Sequence, residues 1–243
     1  MPTVGDAFGR ALVDWNHGGT DPEILERDDG MKDLGAGHEL YFEEHPRWPR
    51  SERDALLHAR GRVLDVGCGA GRVALHLQRK GFEVVGLDSS EFALATARTR
   101  GLTQTWHQSV TRLGRRIGSF ETIVLFGNNF GMFGTPDGVR HTLEQWARWT
   151  GPETRILAES TAPYHGGAPL VDRRHYHLNR ARGLMPGAVR LRICYKTWVT
   201  PWFDWLFVSR MEMRDLLRGT GWSASKFFGS DVAEPYVALL EKG

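Results

Sequence analysis

Residues 63–71 read VLDVGCGAG, and this stretch decides the fold. An apolar run interrupted by Asp65 predicts a buried strand, and glycines follow at alternate positions, Gly67, Gly69 and Gly71. Glycine tolerates positive φ and lets a ligand touch the main chain, so we expect a tight turn here. The next stretch, GRVALHLQRKG, predicts an amphipathic helix whose first N–H groups are free to bind an anionic group. A strand, a glycine turn and a helix in this order are typical of a nucleotide site.

The spacing of the glycines distinguishes between two cofactor classes. A dinucleotide site requires G-x-G-x-x-G, in which the third glycine allows close packing of helix and strand. Here the third glycine comes one position early, and Arg72 stands where it should be. The pattern from Asp65 to Gly71 is D-x-G-x-G-x-G instead, so a nicotinamide oxidoreductase is disfavoured.

Outward from this turn, strands and helices alternate along the chain. This alternation predicts an α/β fold with a parallel sheet covered by helices on both faces. The N-terminal residues have an irregular pattern rich in turn signals, and a segment of mixed character follows the fifth strand. We therefore expect four parts: an N-terminal cap segment (1–50), a core (51–163), a lid insertion (164–190), and C-terminal strands with a helix that complete the sheet (191–243).

Composition narrows the class of protein. The length of 243 residues suits one α/β domain with embellishments, and the net charge of +2 does not predict a nucleic-acid partner. Cys68 and Cys194 are the only cysteines, so a disulfide framework is not expected. No apolar run is long enough for a membrane span, and the N-terminus lacks the apolar segment of a signal peptide. We expect a soluble cytoplasmic protein, monomeric or homodimeric, with no membrane partner.

The longer run VLDVGCGAGRVALHLQRKGFEVVGLDSS, together with IVLFGNNFG at the fourth strand, resembles the class I S-adenosylmethionine-dependent methyltransferase superfamily. The resemblance covers roughly residues 60 to 160. The runs FGNNFGMFG, TPWFDWLFVSR and PYVALLEK resemble a bacterial small-molecule branch of that superfamily. The resemblance implies a Rossmann-like, seven-stranded sheet with a final antiparallel strand, and S-adenosyl-L-methionine as cofactor.

The resemblance also implies a set of cofactor-binding residues. Asp88, at the end of the second strand, would accept hydrogen bonds from the ribose hydroxyls, and Asn128 would lie between the sulfonium and the acceptor. Asp65 would approach the cofactor's ammonium group or, alternatively, only cap the helix. Ser109, with its neighbour, would flank the adenine or be an ordinary loop residue. The implied set is Asp65, Gly67, Cys68, Gly69, Gly71, Asp88, Ser89, Ser109, Val110 and Asn128.

The residues after the fourth strand argue against two subclasses. Nucleic-acid amino-methyltransferases of this superfamily usually carry a proline pair here, whereas Asn128 and Asn129 precede Phe130 and Gly131. The magnesium-dependent catechol type places an acid at this strand end, and the chain has none, so we expect no metal. The histidines of HYH, residues 175–177, are interpreted as surface residues of the lid.

The acceptor pocket should be built from the N-terminal segment and the lid, which are rich in aromatic residues. The turn sequence ERDDG supplies acids that could accept a proton from, or hold, a nitrogen-bearing substrate, unless they are simply solvated. The catalytic candidates are Asp28, Asp29, Tyr41 and His17. We expect metal-independent methyl transfer to a small aromatic or nitrogen-heterocyclic molecule. The alternatives are a non-catalytic S-adenosylmethionine-binding protein and a methyltransferase acting on a peptide or RNA.

Overall fold

The computed structural model describes residues 2–35, 37–164, 171–230 and 235–243. The N-terminal part contributes short strands and helices: β1 (Thr3–Val4), α1 (Ala7–Asn16), β2 (Ile24–Arg27), β3 (Lys32–Leu34), α2 (Gly37–Phe42) and α3 (Arg50–Leu56). The core follows: β4 (Val63–Val66), α4 (Arg72–Arg79), β5 (Val84–Asp88), α5 (Glu91–Thr99), β6 (Thr105–His107), β7 (Thr122–Leu125), α6 (Pro136–Trp149) and β8 (Arg155–Thr161). The remaining elements are α7 (Arg173–Ala181), β9 (Ala188–Tyr195), β10 (Trp198–Val199), β11 (Phe203–Leu206), α8 (Arg210–Leu217), β12 (Trp222–Phe228) and β13 (Pro235–Lys242).

The core is a seven-stranded sheet in the order β12-β13-β8-β7-β4-β5-β6. The strands from β4 to β8 pair in parallel, and β13 enters antiparallel between β8 and β12. Alternate residues of β4 face opposite layers: Val63 packs beneath α3 and α4, whereas Leu64 packs with the large side chains of the opposite layer, Phe120 and Trp146. Both faces of a parallel sheet are therefore covered. The predicted fold class, a seven-stranded α/β sheet with a final antiparallel strand, is confirmed.

A second sheet combines the two ends of the chain. Its order is β1-β10-β9-β2-β3, and β11 pairs with another part of β9. The central pair aligns Ile24 with Cys194 and Glu26 with Arg192, and the last two side chains form an ion pair of 3.0 Å. The N-terminal segment is thus less irregular than its sequence pattern predicts.

The C-terminal part of the predicted organisation needs a correction. We expected residues 191–243 to complete the core sheet, but the strand pairing places Leu191–Leu206 in the second sheet. The reason is that β9 finds its partners in β2 and β11, whereas β8, the neighbouring core strand, is already paired on both sides by β7 and β13.

The second sheet lies over the edge of the core where the parallel strands end. Trp205 of β11 packs directly on Gly131, in the 3-10 segment Asn129–Phe133 that follows β7. On the other side α1 forms a bridge, since its Trp15 meets Tyr195 of β9 edge-on and its Leu12 lies near the glycine turn. Within the described parts of the chain, no helix combines the length and the apolar character that a bilayer crossing requires.

Candidate cofactor site

The glycine turn has the backbone geometry that its sequence predicts. Gly67, Gly69 and Gly71 adopt φ values of +70°, +53° and +83°, where side chains are strained. A Cβ on Gly67 would come within 2.5 Å of the Asn129 amide nitrogen. A Cβ on Gly69 would meet only Leu12, at 3.8 Å, so this part of the main chain is open on its outer side. A ligand can therefore approach the backbone at Gly69.

Asp88 fixes this turn from the end of β5. Its Oδ2 accepts a hydrogen bond of 2.9 Å from the N–H of Gly69, and its Oδ1 accepts one of 2.9 Å from Ser90. Burial raises the pKa of the carboxyl group, and these two N–H donors oppose the rise. A carboxylate offers about four lone-pair positions, so two main-chain bonds leave acceptor capacity for two hydroxyl groups. That donor and acceptor set fits the ribose of S-adenosylmethionine.

Asp65 caps the helix that follows the turn. Its Oδ2 accepts a 3.0 Å hydrogen bond from the N–H of Ala74 in the first turn of α4, and the side chain is 3% exposed. Burial raises its pKa to about 7, against the opposing effects of that N–H and of Arg72. The geometry favours the capping interpretation. The role beside the ammonium group stays a prediction.

The remaining cofactor candidates differ in how they face the turn. The Cys68 side chain is buried against Gly86 of β5, so Cys68 can offer a ligand only its main chain. Gln108 donates its N–H to the Asp88 carbonyl at 3.0 Å, which brings the following Ser109 to the same edge. Ser109 caps a short 3-10 turn, Val110 is buried in the core, and Ser89 is exposed.

The asparagine pair after β7 ties two strand ends together. Asn128 adopts φ +61°, and its Oδ1 accepts a 2.6 Å hydrogen bond from the Thr161 hydroxyl at the end of β8. Asn129, which the sequence analysis did not assign to the site, donates its amide to the carbonyls of Val66 (2.9 Å) and Gly67 (3.1 Å). The sequence indicates this role through the pair of adjacent asparagines, because two amide side chains at a strand end can form hydrogen bonds with both neighbouring strands.

A buried cluster of charged side chains packs beneath the glycine turn. Arg72 forms a bidentate pair with Glu52 of α3, at 2.8 and 2.7 Å, and stacks on Trp48 with 4.5 Å to the ring centroid. Glu159 of β8 accepts a 2.8 Å hydrogen bond from Gly127, and burial together with the nearby charge of Glu52 raises its pKa. The arginine that occupies the third-glycine position of a dinucleotide motif is therefore accommodated by a carboxylate from outside the motif.

The structure places three of the four catalytic candidates in surroundings that do not suit a base. Asp28 is exposed in the turn between β2 and β3. Asp29 forms a bidentate pair with Arg27, at 2.8 and 2.7 Å, and this hydrogen bonding lowers its pKa to about 2. His17 ends α1 at the surface, where its Nδ1 lies 2.7 Å from the Val13 carbonyl. A carboxylate with so low a pKa is a weak proton acceptor near neutral pH.

Tyr41 lies in a more enclosed environment. Its ring stacks on Trp15 at 5.7 Å and meets Phe8 edge-on at 5.1 Å, in a cluster that includes Ala70 of the glycine turn. Burial and the adjacent Glu23 raise the pKa of Tyr41, so its hydroxyl is a donor, not a base. Glu23, missed by sequence reasoning, is 1% exposed and accepts this hydroxyl at 3.4 Å. Its Oε2 has no hydrogen-bond donor within the described residues.

The lid is only partly within the described residues, because 165–170 lie outside them. His175 is buried, with Nε2 at 2.8 Å from the Ala188 carbonyl, while His177 is exposed. The interpretation of both histidines as surface residues is therefore wrong for His175, which fastens α7 to β9. In the ranges that the structure describes, no group of three histidine, cysteine or acidic residues is arranged to hold a metal ion.

A family profile described as a methyltransferase domain matches residues 63–153, the segment that contains the glycine turn, Asp88 and the asparagine pair. Residues 63–153 thus match a methyltransferase domain, in agreement with the resemblance that the sequence carries. The matched segment carries the glycine turn and Asp88, which lie at the carboxyl edge of the seven-stranded sheet.

Curated relatives share part of this methyltransferase domain. The chain is 30% identical over 108 residues to the putative methyltransferase YqeM of Bacillus subtilis, which corresponds to 43% of this chain and 44% of the relative. It is 51% identical over 41 residues, 17% of each chain, to a ubiquinone biosynthesis O-methyltransferase of Hahella chejuensis. The chain thus spans less than half the length of the curated relatives it matches.

Solved structures extend the likeness beyond the methyltransferase domain to the whole fold. A SAM-dependent methyltransferase from Bacteroides fragilis, in complex with S-adenosyl-L-homocysteine, superposes with a TM-score of 0.81 at 24% identity, covering 100% of this chain and 97% of the other. The CcbJ methyltransferase from Streptomyces caelestis superposes with a TM-score of 0.62 at 15% identity, covering 81% and 100%. At these identities the likeness shows a common fold.

Proposed function

We propose that the protein transfers the methyl group of S-adenosylmethionine to a small acceptor by metal-independent in-line displacement. The observation that carries this proposal is the Asp88 carboxylate bonded to the N–H of Gly69, at the carboxyl edge of the sheet in a methyltransferase domain. When bound there, the cofactor supplies a methyl group on a good leaving group. The protein's contribution is then mainly alignment of the acceptor and exclusion of water.

The surroundings of the glycine turn support a flat, partly apolar acceptor. Trp15 and Tyr41 stack in parallel near Ala70, and Trp205 packs on Gly131 in the segment after β7. Aromatic faces of this kind stack well on planar rings. With a net charge of +2 on 243 residues, the chain does not provide the phosphate-dominated attraction on which nucleic-acid binding relies. A small aromatic or nitrogen-heterocyclic molecule is the acceptor we propose.

Glu23 is our candidate for holding a nitrogen atom of that acceptor. It is buried beside the Trp15–Tyr41 pair, and one of its oxygens lacks a donor within the described residues. A buried carboxylate oxygen without a donor is costly, and an N–H of a ligand would satisfy it. Asp29, in contrast, already has both oxygens on Arg27. A cytoplasmic location and a monomeric or homodimeric state stay predictions from the sequence.

The proposed function is tested by offering labelled S-adenosylmethionine to small aromatic and heterocyclic acceptors, a peptide mixture, tRNA and DNA in parallel, with Asp88→Ala as the inactive control. We expect label in the small molecules only, and none with the variant. Label confined to peptide or RNA would overturn the acceptor class. Tight cofactor binding without transfer to any acceptor would favour a non-catalytic binding protein.

Glu23→Gln tests the nitrogen-binding role, and Asp29→Asn is the matched control. With a nitrogen-bearing acceptor, kcat/KM should fall roughly 10- to 100-fold in Glu23→Gln because a charge-assisted hydrogen bond is weakened. Affinity for S-adenosylhomocysteine should stay unchanged in both variants. Equal losses in the two variants, or a loss confined to Asp29→Asn, would contradict the assignment.

A further inference from the structure

A second concave site lies away from the edge of the core sheet that carries the candidate cofactor site. It is a pocket of about 280 Å³ between α1, α5 and the turn that joins β9 to β10. Its walls include Arg10, Val13, Phe92, Thr197 and Trp198. At 100° per residue, Arg10 lies about 160° around α1 from Leu12, which faces the glycine turn. The pocket is therefore on the opposite side of α1 from the cofactor site.

Arg10 is held in this pocket by stacking. Its guanidinium carbon lies 3.7 Å from the ring centroid of Trp198 and 4.6 Å from that of Phe92. The two rings restrict the orientation of the guanidinium group, whose N–H groups form hydrogen bonds at the edge of its plane. The buried Nε has no hydrogen-bond acceptor within the described residues. This arrangement holds a donor fork in place before any ligand binds.

The acid expected to neutralise Arg10 is engaged elsewhere. Asp14 is one helical turn from Arg10, the spacing at which oppositely charged side chains usually pair. Its Oδ2 instead accepts hydrogen bonds from Lys196 and, at 2.5 Å, from the Tyr195 hydroxyl. These bonds lower the pKa of Asp14. Within the ranges the structure describes, Arg10 forms no ion pair with a carboxylate.

The backbone at the rim of the pocket is also unusual. Lys196 has φ +51°, and the other described non-glycine residue with positive φ is Asn128, in the cofactor site. Strain of this kind persists where the surroundings hold a residue in place. The strained turn brings the Lys196 ammonium to Asp14 and, at 3.1 Å, to Asp21. Because Asp14 is bonded to Lys196, it does not pair with Arg10, and Arg10 can bind the carboxylate of a ligand.

We propose that this pocket binds a small carboxylate with an apolar body. A carboxylate matches the planar fork of an arginine with two parallel hydrogen bonds. The apolar walls, Val13, Phe92 and Trp198, suit an apolar body, and the Thr197 hydroxyl can add a donor. Arg10 is a single positive charge and lies near the carboxylate of Asp14. A ligand with one negative charge therefore suits this pocket better than phosphate, which carries up to two.

Occupation of the pocket should also strengthen cofactor binding, a step that rests on the proposed function. Asp6, just before α1, caps the helix by accepting the Gly9 N–H, and it also accepts the hydroxyl of Ser90, two residues after Asp88. A ligand whose carboxylate bonds to the edge of the Arg10 guanidinium and whose apolar body packs on Phe92 joins α1 to α5. Because Leu12 of α1 also lies next to Gly69, each ligand should favour the same position of the helix, and the coupling must be reciprocal.

Calorimetry with benzoate, benzamide and inorganic phosphate on the full chain, without cofactor, tests the pocket separately from the proposed function. We expect saturable benzoate binding, at least about tenfold weaker in Arg10→Gln and unchanged in the exposed control Arg50→Gln. Arg10→Lys keeps the positive charge but lacks the two parallel donors of arginine, so it should also bind benzoate weakly. It provides a second variant in case Arg10→Gln misfolds. Absence of saturable benzoate binding, equal affinity for benzamide, or tighter binding of phosphate would overturn the proposal.

The coupling has its own readout. Titration of S-adenosylhomocysteine should give a higher affinity in the presence of saturating benzoate, and this difference should vanish in Arg10→Gln. An affinity for S-adenosylhomocysteine that is independent of benzoate would overturn the coupling. If S-adenosylhomocysteine fails to bind at all while benzoate binds, the proposed function fails and the pocket assignment stands.

Discussion

Asp88 connects three parts of the molecule through one carboxylate. It accepts hydrogen bonds from Gly69 in the turn after β4 and from Ser90 at the start of α5. Burial is the main cause of its raised pKa, and the negative charge of Asp6 at the start of α1 adds to the rise. A ribose bound here would supply hydroxyl donors to the remaining lone pairs, which favours the charged carboxylate.

Asp88→Ala should weaken binding of S-adenosylhomocysteine by about 1–3 kcal/mol, because two ribose hydroxyls would be buried without their acceptor. Calorimetry measures this loss, and Ser89→Ala, at an exposed neighbour, is the control. Thermal unfolding of both variants checks that the turn stays folded. An unchanged affinity in Asp88→Ala would refute the ribose assignment.

Asp65 should give the free energy of unfolding a defined pH dependence. Its pKa is about 7 in the folded protein against 3.8 for the ordinary group, so the folded state holds a proton that the unfolded chain releases. The contribution of Asp65 is present below pH 3.8 and is lost as pH rises through about 7. Relative to Asp65→Asn, which keeps an oxygen for the Ala74 N–H, the wild type should lose roughly 2–4 kcal/mol over this range.

Denaturant unfolding at several pH values measures that difference, and Asp137→Asn, at a fully exposed acid, should leave the pH dependence of the wild type unchanged. A parallel pH dependence in the wild type and Asp65→Asn would show that folding does not raise the pKa of Asp65.

Single residues of the site were predictable where the chemistry is local. Gly67 and Gly69 are identified by sequence because a turn between a strand and a helix needs positive φ within a few residues. Glu23, Glu52 and Asn129 were not identified, because each acts on a partner distant in the chain, respectively Tyr41, Arg72 and the Val66 carbonyl. A single sequence carries no pattern that joins such pairs.

At the scale of elements, α1 determines how the N-terminal segment meets the core. Its first turn contains Gly9, and a Cβ at that position would overlap the Ser90 hydroxyl and lie 2.9 Å from the Asp6 carboxyl carbon. The close approach of α1 to α5 therefore requires a glycine on this face of the helix. Gly9 has an ordinary helical backbone, so the constraint is one of space.

Gly9→Ala should separate α1 from α5 and weaken S-adenosylhomocysteine binding, even though alanine favours helix by about 1 kcal/mol. The expected result is a lower thermal midpoint together with a lower affinity, measured by scanning calorimetry and titration. Asn16→Ala, at the end of the same helix, is the control. A Gly9→Ala protein that is more stable than the wild type, with unchanged affinity, would show that α1 tolerates the extra methyl group without moving.

The second sheet shows which elements the sequence could not predict. The strands β4 and β5 belong to the part of the chain in which strands and helices alternate. Their parallel pairing follows from the crossover helix between them. In contrast, β2 pairs with β9, and the register Leu25 to Ile193 joins opposite ends of the chain. The four-residue strand β2 is too short to show a period, and its partner is chosen by packing that forms only in the folded chain.

At the scale of the whole molecule, α1 connects the two sheets on the side away from the contact between Trp205 and Gly131. On the core side its Leu12 lies 3.8 Å from where a Gly69 Cβ would be, and its N-terminal Asp6 bonds to Ser90. On the side of the second sheet, Asp14 accepts the Tyr195 hydroxyl at 2.5 Å, and Trp15 meets the Tyr195 ring at 6.0 Å. A ligand that immobilises α1 should therefore stabilise both sheets.

Hydrogen exchange measured by mass spectrometry, with and without S-adenosylhomocysteine, tests this connection. Protection should rise in the glycine turn and also in peptides covering β2 and β9, because local opening of the second sheet requires α1 to move. Peptides covering β12 are the internal control, since that strand is at the far edge of the core sheet and, among the described strands, pairs with β13 alone. Protection confined to the core would mean that the second sheet opens independently of α1. Protection equal in β12 and β9 would mean that the ligand stabilises the whole protein globally, and the special role of α1 would be wrong.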